Sequence, residues 1–193
     1  MIEESEILDM LREVGALKEG HFKLASGRHS GHYVQCALLA QYPDRLDRLI
    51  RSRTGEINAL GNIHTVFFPA IGAMAVGQQV GLALEKRAIF AERNKNNDME
   101  LRRGFEIREG ENLLMVEDVV TTGSTLREVR KMAEDAHANI LGVFCIINRS
   151  GKATWEGLPL LSVIELTFPT YAPDEIPEEL AAIPVHRPGT KQA

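Results

Sequence analysis

Two stretches of this chain carry the same order of patterns, and together they leave few folds open. HTVFFPAIGAMAVGQQVGLALEKRAIFAER, residues 64–93, reads as a short apolar strand from Val66 to Phe68, a Pro/Gly-containing turn, a helix to about Glu85 and a second strand from Ala88 to Ala91. NLLMVEDVVTTGSTLREVRKMAEDAHANILGVFCIINRSG, residues 112–151, repeats that pattern and closes on a buried strand from Ile140 to Ile147. Strands that are apolar throughout are covered on both faces, and strand-helix-strand units set their strands parallel. The predicted fold class is therefore α/β, a mainly parallel, doubly wound sheet with helices on both faces.

The remaining segments dress that sheet. Ile7, Leu8, Leu11 and Val14 recur at helical spacing until Gly15 stops them, which predicts a docking helix. FKLASGRHSGHYVQCALLA follows as a hairpin-like unit, with a polar turn from Ser26 to Gly31 and a second extended stretch from Tyr33. After Pro43, Leu46, Leu49, Ile50 and Ile57 share one helical face that should cover the sheet. Arg93 to Arg103 is almost wholly polar and lacks the apolar surface to hold itself down, so it is predicted to be mobile. The tail from Phe168 holds most of the chain's 8 prolines and is predicted to lie extended over the core, frayed at its end.

Composition excludes several classes of function. A net charge of -5 gives no general attraction to nucleic acid or to anionic membranes, although local cations and backbone N–H groups can still gather a small polyanion. No apolar run approaches the ~20 residues of a membrane helix, and the acidic amphipathic start is unlike a signal peptide. Cys36 and Cys145 stand apart among apolar or small neighbours, which predicts buried free thiols in a reducing compartment and a cytoplasmic protein.

The chemistry is concentrated in LLMVEDVVTTGST, residues 113–125. Four apolar residues run into the acid pair Glu117 and Asp118; Val119 and Val120 then lead to Thr121, Thr122, Gly123, Ser124 and Thr125 ahead of a helix. In an open parallel sheet, ligands bind beyond the carboxyl ends of the strands. Paired carboxylates there can accept hydrogen bonds from vicinal ribose hydroxyls, while the turn offers hydroxyl and backbone donors to a phosphate at the helix N-terminus. A Thr/Gly/Ser turn alone is an ordinary helix cap. The full string, with both acids ahead of it, is far more specific.

VEDVVTTGST, residues 116–125, closely resembles the signature with which type I phosphoribosyltransferases bind 5-phosphoribosyl-1-pyrophosphate (PRPP). From about Gly20 to the tail, the chain resembles the short bacterial orotate phosphoribosyltransferases. FKLASGRHS, residues 22–30, is similar to a segment of that family's hood, with Tyr33 after it, and INRSG, residues 147–151, to a strand end whose arginine, Arg149, is implied to bind the orotate carboxylate. The resemblance implies one domain over residues 1–193, its hood formed from roughly 1–40 and 150–185 and its core from 41–149. It places Thr121 between ribose and orotate.

FPAIGAMAVG, residues 68–77, is similar to the family's pyrophosphate loop, with backbone donors at Ile71, Gly72 and Ala73; Phe68 and Ala73 stand where members usually carry glycine, which implies a looser fit for pyrophosphate. The stretch from Arg93 to Arg103 matches the catalytic loop, offering Lys95, Arg102 and Arg103 as cations, with Asp98 at its centre. The resemblance further implies Mg²⁺ brought in with PRPP, no metal site built by the protein alone, and a homodimer. Three other readings stay open: a phosphoribosyltransferase for a purine, a PRPP sensor without turnover, and a receiver domain phosphorylated at its acid pair. The last needs acids from several strands, and Asp9, Asp44 and Asp47 fall on apparent helices or turns.

Overall fold

The computed structural model describes residues 2–24 and 26–188. Helix α1 (Glu4–Glu13) leads into a hairpin of β1 (Leu17–Lys23) and β2 (His29–Val34), followed by helices α2 (Ala37–Ala40), α3 (Pro43–Arg51) and α4 (Thr54–Asn58). The strand-helix-strand units then run β3 (Thr65–Pro69), α5 (Met74–Leu84), β4 (Arg87–Arg93), β5 (Met99–Leu101), β6 (Asn112–Val120), α6 (Ser124–Asp135) and β7 (Asn139–Asn148). A second hairpin, β8 (Thr154–Trp155) and β9 (Leu158–Glu165), precedes β10 (Thr170–Tyr171), the single turn α7 (Glu178–Ala181) and β11 (Val185–His186).

The large sheet has the order β5-β4-β3-β6-β7-β9-β8. Its inner strands β4, β3, β6, β7 and β9 are mutually parallel, and the edges β5 and β8 are antiparallel. Period-two alternation divides the core in two. Val66, Phe68, Leu114, Val116, Phe144 and Ile146 pack with α1, α3 and α5 on one face. Phe67, Leu113, Met115, Val143 and Cys145 pack with Leu126, Val129 and Ala133 of α6 on the other. The predicted doubly wound sheet is therefore present, and helix α5 lies close on it because of its glycines. A Cβ on Gly77 would collide with the Phe68 ring, and one on Gly81 would stand 2.6 Å from the Ala88 Cβ.

Several expectations change in detail. The helical face from Leu46 to Ile57 is split into α3 and α4. Ser52 Oγ donates to the Leu49 carbonyl at 2.7 Å and Thr54 Oγ1 to that of Arg51 at 3.0 Å, and such back-bonding competes with the helical ladder. The polar turn after Leu24 is shorter than Ser26 to Gly31, because β2 begins at His29. Residues 154–165 do not belong to the hood: β9 pairs in parallel with β7 and carries β8 into the large sheet. Its buried Leu160, Val163 and Ile164 explain the placement.

The stretch predicted to be mobile, 93–103, forms a hairpin of β4 with β5. Asn94 organises its tip, the side-chain Oδ1 accepting from the backbone N–H groups of Asn96 (2.8 Å) and Asp98 (3.0 Å). Met99 and Leu101 pack on the α6 side of the core, an anchorage the polar composition hides.

The hood is a second sheet of order β10-β2-β1-β11. Arg28 ties it together by donating to the Thr170 hydroxyl at 3.0 Å and the Thr170 carbonyl at 2.6 Å. Buried His21 and His29 meet at 2.6 Å, and the other nitrogen of His21 is 3.1 Å from the Ile183 carbonyl. A carbonyl only accepts, so His21 Nδ1 donates there. The Pro-rich tail supplies edge strands and one helical turn rather than a plain extended cover. Its end at residues 189–193, expected to fray, lies outside the described residues.

Candidate functional site

Topology opens the site. β3 and β6 are adjacent and parallel, yet the chain passes from β3 to β4 on one side and from β6 to β7 on the other. The loops at their carboxyl ends diverge, leaving a crevice at that switch point. Residues 70–73 form one wall and residues 117–125 the other. A Cβ on Gly72 would stand 3.6 Å from the carboxylate oxygens of Asp118, so the two walls meet closely. The backbone N–H groups of Ile71, Gly72 and Ala73 donate no backbone hydrogen bond among the described residues. The side chains of Phe68 and Ala73 are wholly buried and point away from this crevice into the core.

The acid pair ends the buried part of β6. Glu117 is 9% exposed. Burial first, and then the charge of Asp118, hold its carboxyl well above the usual range. Burial raises Asp118 as well, against the pull of the Val119 N–H, which donates to Asp118 Oδ1 at 2.8 Å. Among the described residues no cation offsets either shift. The pair thus lacks a positive partner among the described residues and is suited to accept hydrogen bonds from an uncharged donor such as a sugar hydroxyl. Buried Cys36 and Cys145 remain free thiols, pushed up by burial above all.

Beyond the acids, Val119 and Val120 turn their side chains to the two cores and leave only backbone for a ligand. Thr121, Thr122 and Ser124 are exposed, and Thr125 is half-buried. Gly123 caps α6 in the left-handed conformation, with φ 70° and ψ 28°. That conformation suits glycine, and the free N–H groups of the first helical turn form an anion seat.

The end of β7 supplies the opposite side. Arg149 N donates to the Val120 carbonyl at 2.7 Å, drawing its residue to the turn. Wholly buried Asn148 shapes the loop that follows: its Oδ1 accepts from Ser150 N (2.9 Å) and Ser150 Oγ (2.7 Å), and its Nδ2 donates to the Lys152 carbonyl at 2.9 Å. Arg149 Nε is buried without a hydrogen-bond partner among the described residues. Its guanidinium lies 5.5 Å from the centroid of the Phe168 ring, which stacks on His32 at 4.4 Å. Tyr33, half-buried on β2, is raised first by burial and then by Asp118, while Arg149 opposes the shift.

A cleft of about 690 Å³ extends along the other wall, lined by Ile71, Met74, Phe90, Glu92, Arg93 and Arg103 among others. Of the three cations named from sequence, only Arg103 lines it. Arg103 pairs with Glu92 at 2.9 Å and lies over the Phe90 ring. Arg102 turns to Glu100 (3.2 Å) and Glu92 (3.6 Å), and Lys95 is exposed on the hairpin tip. Arg93 also reaches the cleft, held by Glu128 of α6 through contacts of 2.8 and 2.9 Å. No local pattern signals the carboxylates that hold these arginines, the Phe168 and His32 stack, or Trp155, which packs under Gly123.

No family model matches the chain. The orotate phosphoribosyltransferase of Novosphingobium aromaticivorans is 44% identical over 190 residues, covering 97% of both chains. That of Thermotoga petrophila is 40% identical over 185 residues, covering 96% of this chain and 98% of the relative. Among solved structures, the orotate phosphoribosyltransferase of Aeropyrum pernix superposes with a TM-score of 0.68 at 21% identity, over 83% of this chain and 93% of that one.

Proposed function

The chain belongs to the orotate phosphoribosyltransferase family, and from that premise we propose how its residues carry the reaction. That reaction transfers the 5-phosphoribosyl group of PRPP to orotate, giving orotidine 5'-phosphate and pyrophosphate in pyrimidine synthesis. As pyrophosphate leaves, positive charge grows on the ribose and negative charge on the departing group, so the site has to stabilise both.

Glu117 and Asp118 accept the ribose hydroxyls and face the developing positive charge. The turn from Thr121 to Thr125 holds the 5'-phosphate at the start of α6. The free N–H groups of Ile71, Gly72 and Ala73 take the pyrophosphate, with Arg103 and Arg93 at the edge of the same cleft. Phe68 and Ala73 leave that loop unobstructed because both side chains are buried. Orotate lies between Thr121, Tyr33 and Arg149. Mg²⁺ favours oxygen donors and commonly arrives with substrate phosphates; the acid pair fits such an ion, whose contribution would be to neutralise charge on the leaving pyrophosphate. We infer a homodimer as the working assembly, for which Leu82 of α5, 63% exposed, offers apolar surface.

The observation that carries the base assignment is the orphaned guanidinium. A buried Arg149 Nε with no partner is costly, and a planar anion with two carboxylate oxygens satisfies it. The test is loss of orotate absorbance with purified protein, PRPP and Mg²⁺, each omitted in turn, with adenine as the competing acceptor. Turnover should need all three components and ignore adenine. Turnover of adenine, or PRPP binding without release of pyrophosphate, would overturn the assignment.

A further inference from the structure

Trp155 is the only tryptophan in the chain, and nothing so far gives it a role. It lies on the edge strand β8, 5% exposed. A Cβ on Gly123 would collide with the indole Nε1 and would stand 2.7 Å from Cε2 and 3.0 Å from Cδ1. The pyrrole edge of the ring therefore fills the space where a side chain at position 123 would go. Its Nε1 is buried and has no hydrogen-bond partner among the described residues.

The ring is fixed from its other side. The Arg130 guanidinium lies 5.9 Å from the ring centroid. The neighbouring Glu156 accepts from Arg127 at 2.5 Å and from Arg130 through its backbone carbonyl at 3.1 Å, which clamps the hairpin to α6. Aromatic edges are positive and faces negative, so this orientation gives the face to the arginine and the N–H edge to the turn.

We propose that Trp155 is a positioning residue of the phosphate-binding turn: the indole holds Gly123 in its left-handed conformation, and the buried N–H sets a fixed positive pole beneath an anion seated between Thr121 and Thr125. A buried donor without a partner is unfavourable in the free protein, and an anion above it offsets part of that cost. The N–H and the α6 N-terminus then act on the anion in the same sense. The inference rests on the turn being the ribose phosphate site and adds to it a group from another strand.

The experiment titrates ribose 5-phosphate into the full chain, read by calorimetry and by the emission of Trp155, alongside Trp155→Phe, which keeps an aromatic ring and removes the N–H. The emission should shift with the same saturation as the heat. Trp155→Phe should weaken ribose 5-phosphate about three- to tenfold, the scale of one buried donor, and raise the KM for PRPP without raising that for orotate. A loss of overall stability alone predicts no such split. Equal affinity in the variant overturns the proposal and leaves the site assignment standing. Failure of the wild-type chain to bind ribose 5-phosphate overturns the site assignment and the proposal together. Should Trp155→Phe fail to fold, as seen by circular dichroism, the wild-type emission decides, and silence at saturation overturns the proposal.

Discussion

Replacing Arg149 by alanine should separate orotate recognition from everything else the protein does. Among the described residues its Nε has no hydrogen-bond partner, and its planar group rests near Phe168 without an ion pair to maintain. Removal therefore abandons little native structure, and folding stability should fall by no more than about 1 kcal/mol, the scale of a cation–π contact. In the proposed complex the same group would face the orotate carboxylate in a partly desolvated space. Truncating one partner of such a pair costs about 2–5 kcal/mol, so kcat/KM for orotate should drop by about 30-fold to a few thousand-fold. Arg149→Lys, which keeps the charge and loses the two-pronged geometry, should fall between. The assay is steady-state loss of orotate absorbance with orotate varied at saturating PRPP, repeated with PRPP varied at saturating orotate. An unchanged orotate parameter, or an equal loss in both, would refute the reasoning.

Burial holds Glu117 and Asp118 above their ordinary range, so the free site retains protons that incoming hydroxyl donors displace. PRPP binding should tighten as pH rises through those raised values and should release protons, which calorimetry in buffers of different ionisation heat would detect; pH-independent affinity would contradict it. Arg103→Ala should lower kcat more than PRPP affinity, since Arg103 reaches the cleft on a hairpin outside the anion seat, and equal losses would remove the hairpin from catalysis. At the far end of the sheet, the carboxylate of Glu111 accepts from Thr65 (2.6 Å), Arg87 (2.8 Å) and the backbone of Arg108 (2.9 Å). Burial would raise Glu111, but these donors outweigh it and hold the group low. A depressed carboxylate stabilises above its unfolded value and loses that contribution as pH falls through its folded value. Glu111→Ala should cost about 2 kcal/mol at neutral pH in a denaturant titration, less than the ~3–5 kcal/mol of a fully buried pair because Arg87 is 37% exposed, and the difference should shrink in acid.

The sequence by itself determined the strands β3, β4, β6 and β7, the layers and one wall of the site. Strands such as Thr65–Pro69 are written in local apolar pattern, and the acid pair and phosphate turn lie within ten consecutive residues, so no long-range contact is needed to recognise them. The resemblance carried by those residues extended this reading to Arg149 and Tyr33. Tertiary structure decided what depends on partners distant in sequence. Residues 154–165 joined the large sheet because buried Leu160, Val163 and Ile164 complete its core. The polar hairpin 93–103 was ordered by Asn94, by a β-ladder and by Met99 and Leu101. Which cation reaches the cleft was set by Glu92, Glu100 and Glu128, carboxylates whose positions no spacing reveals. Trp155 met Gly123 across 31 intervening positions only because β8 closes an edge of the sheet. Periodicity records which face of an element is buried; the identity of the group it is buried against is fixed only when the sheet order brings the two together.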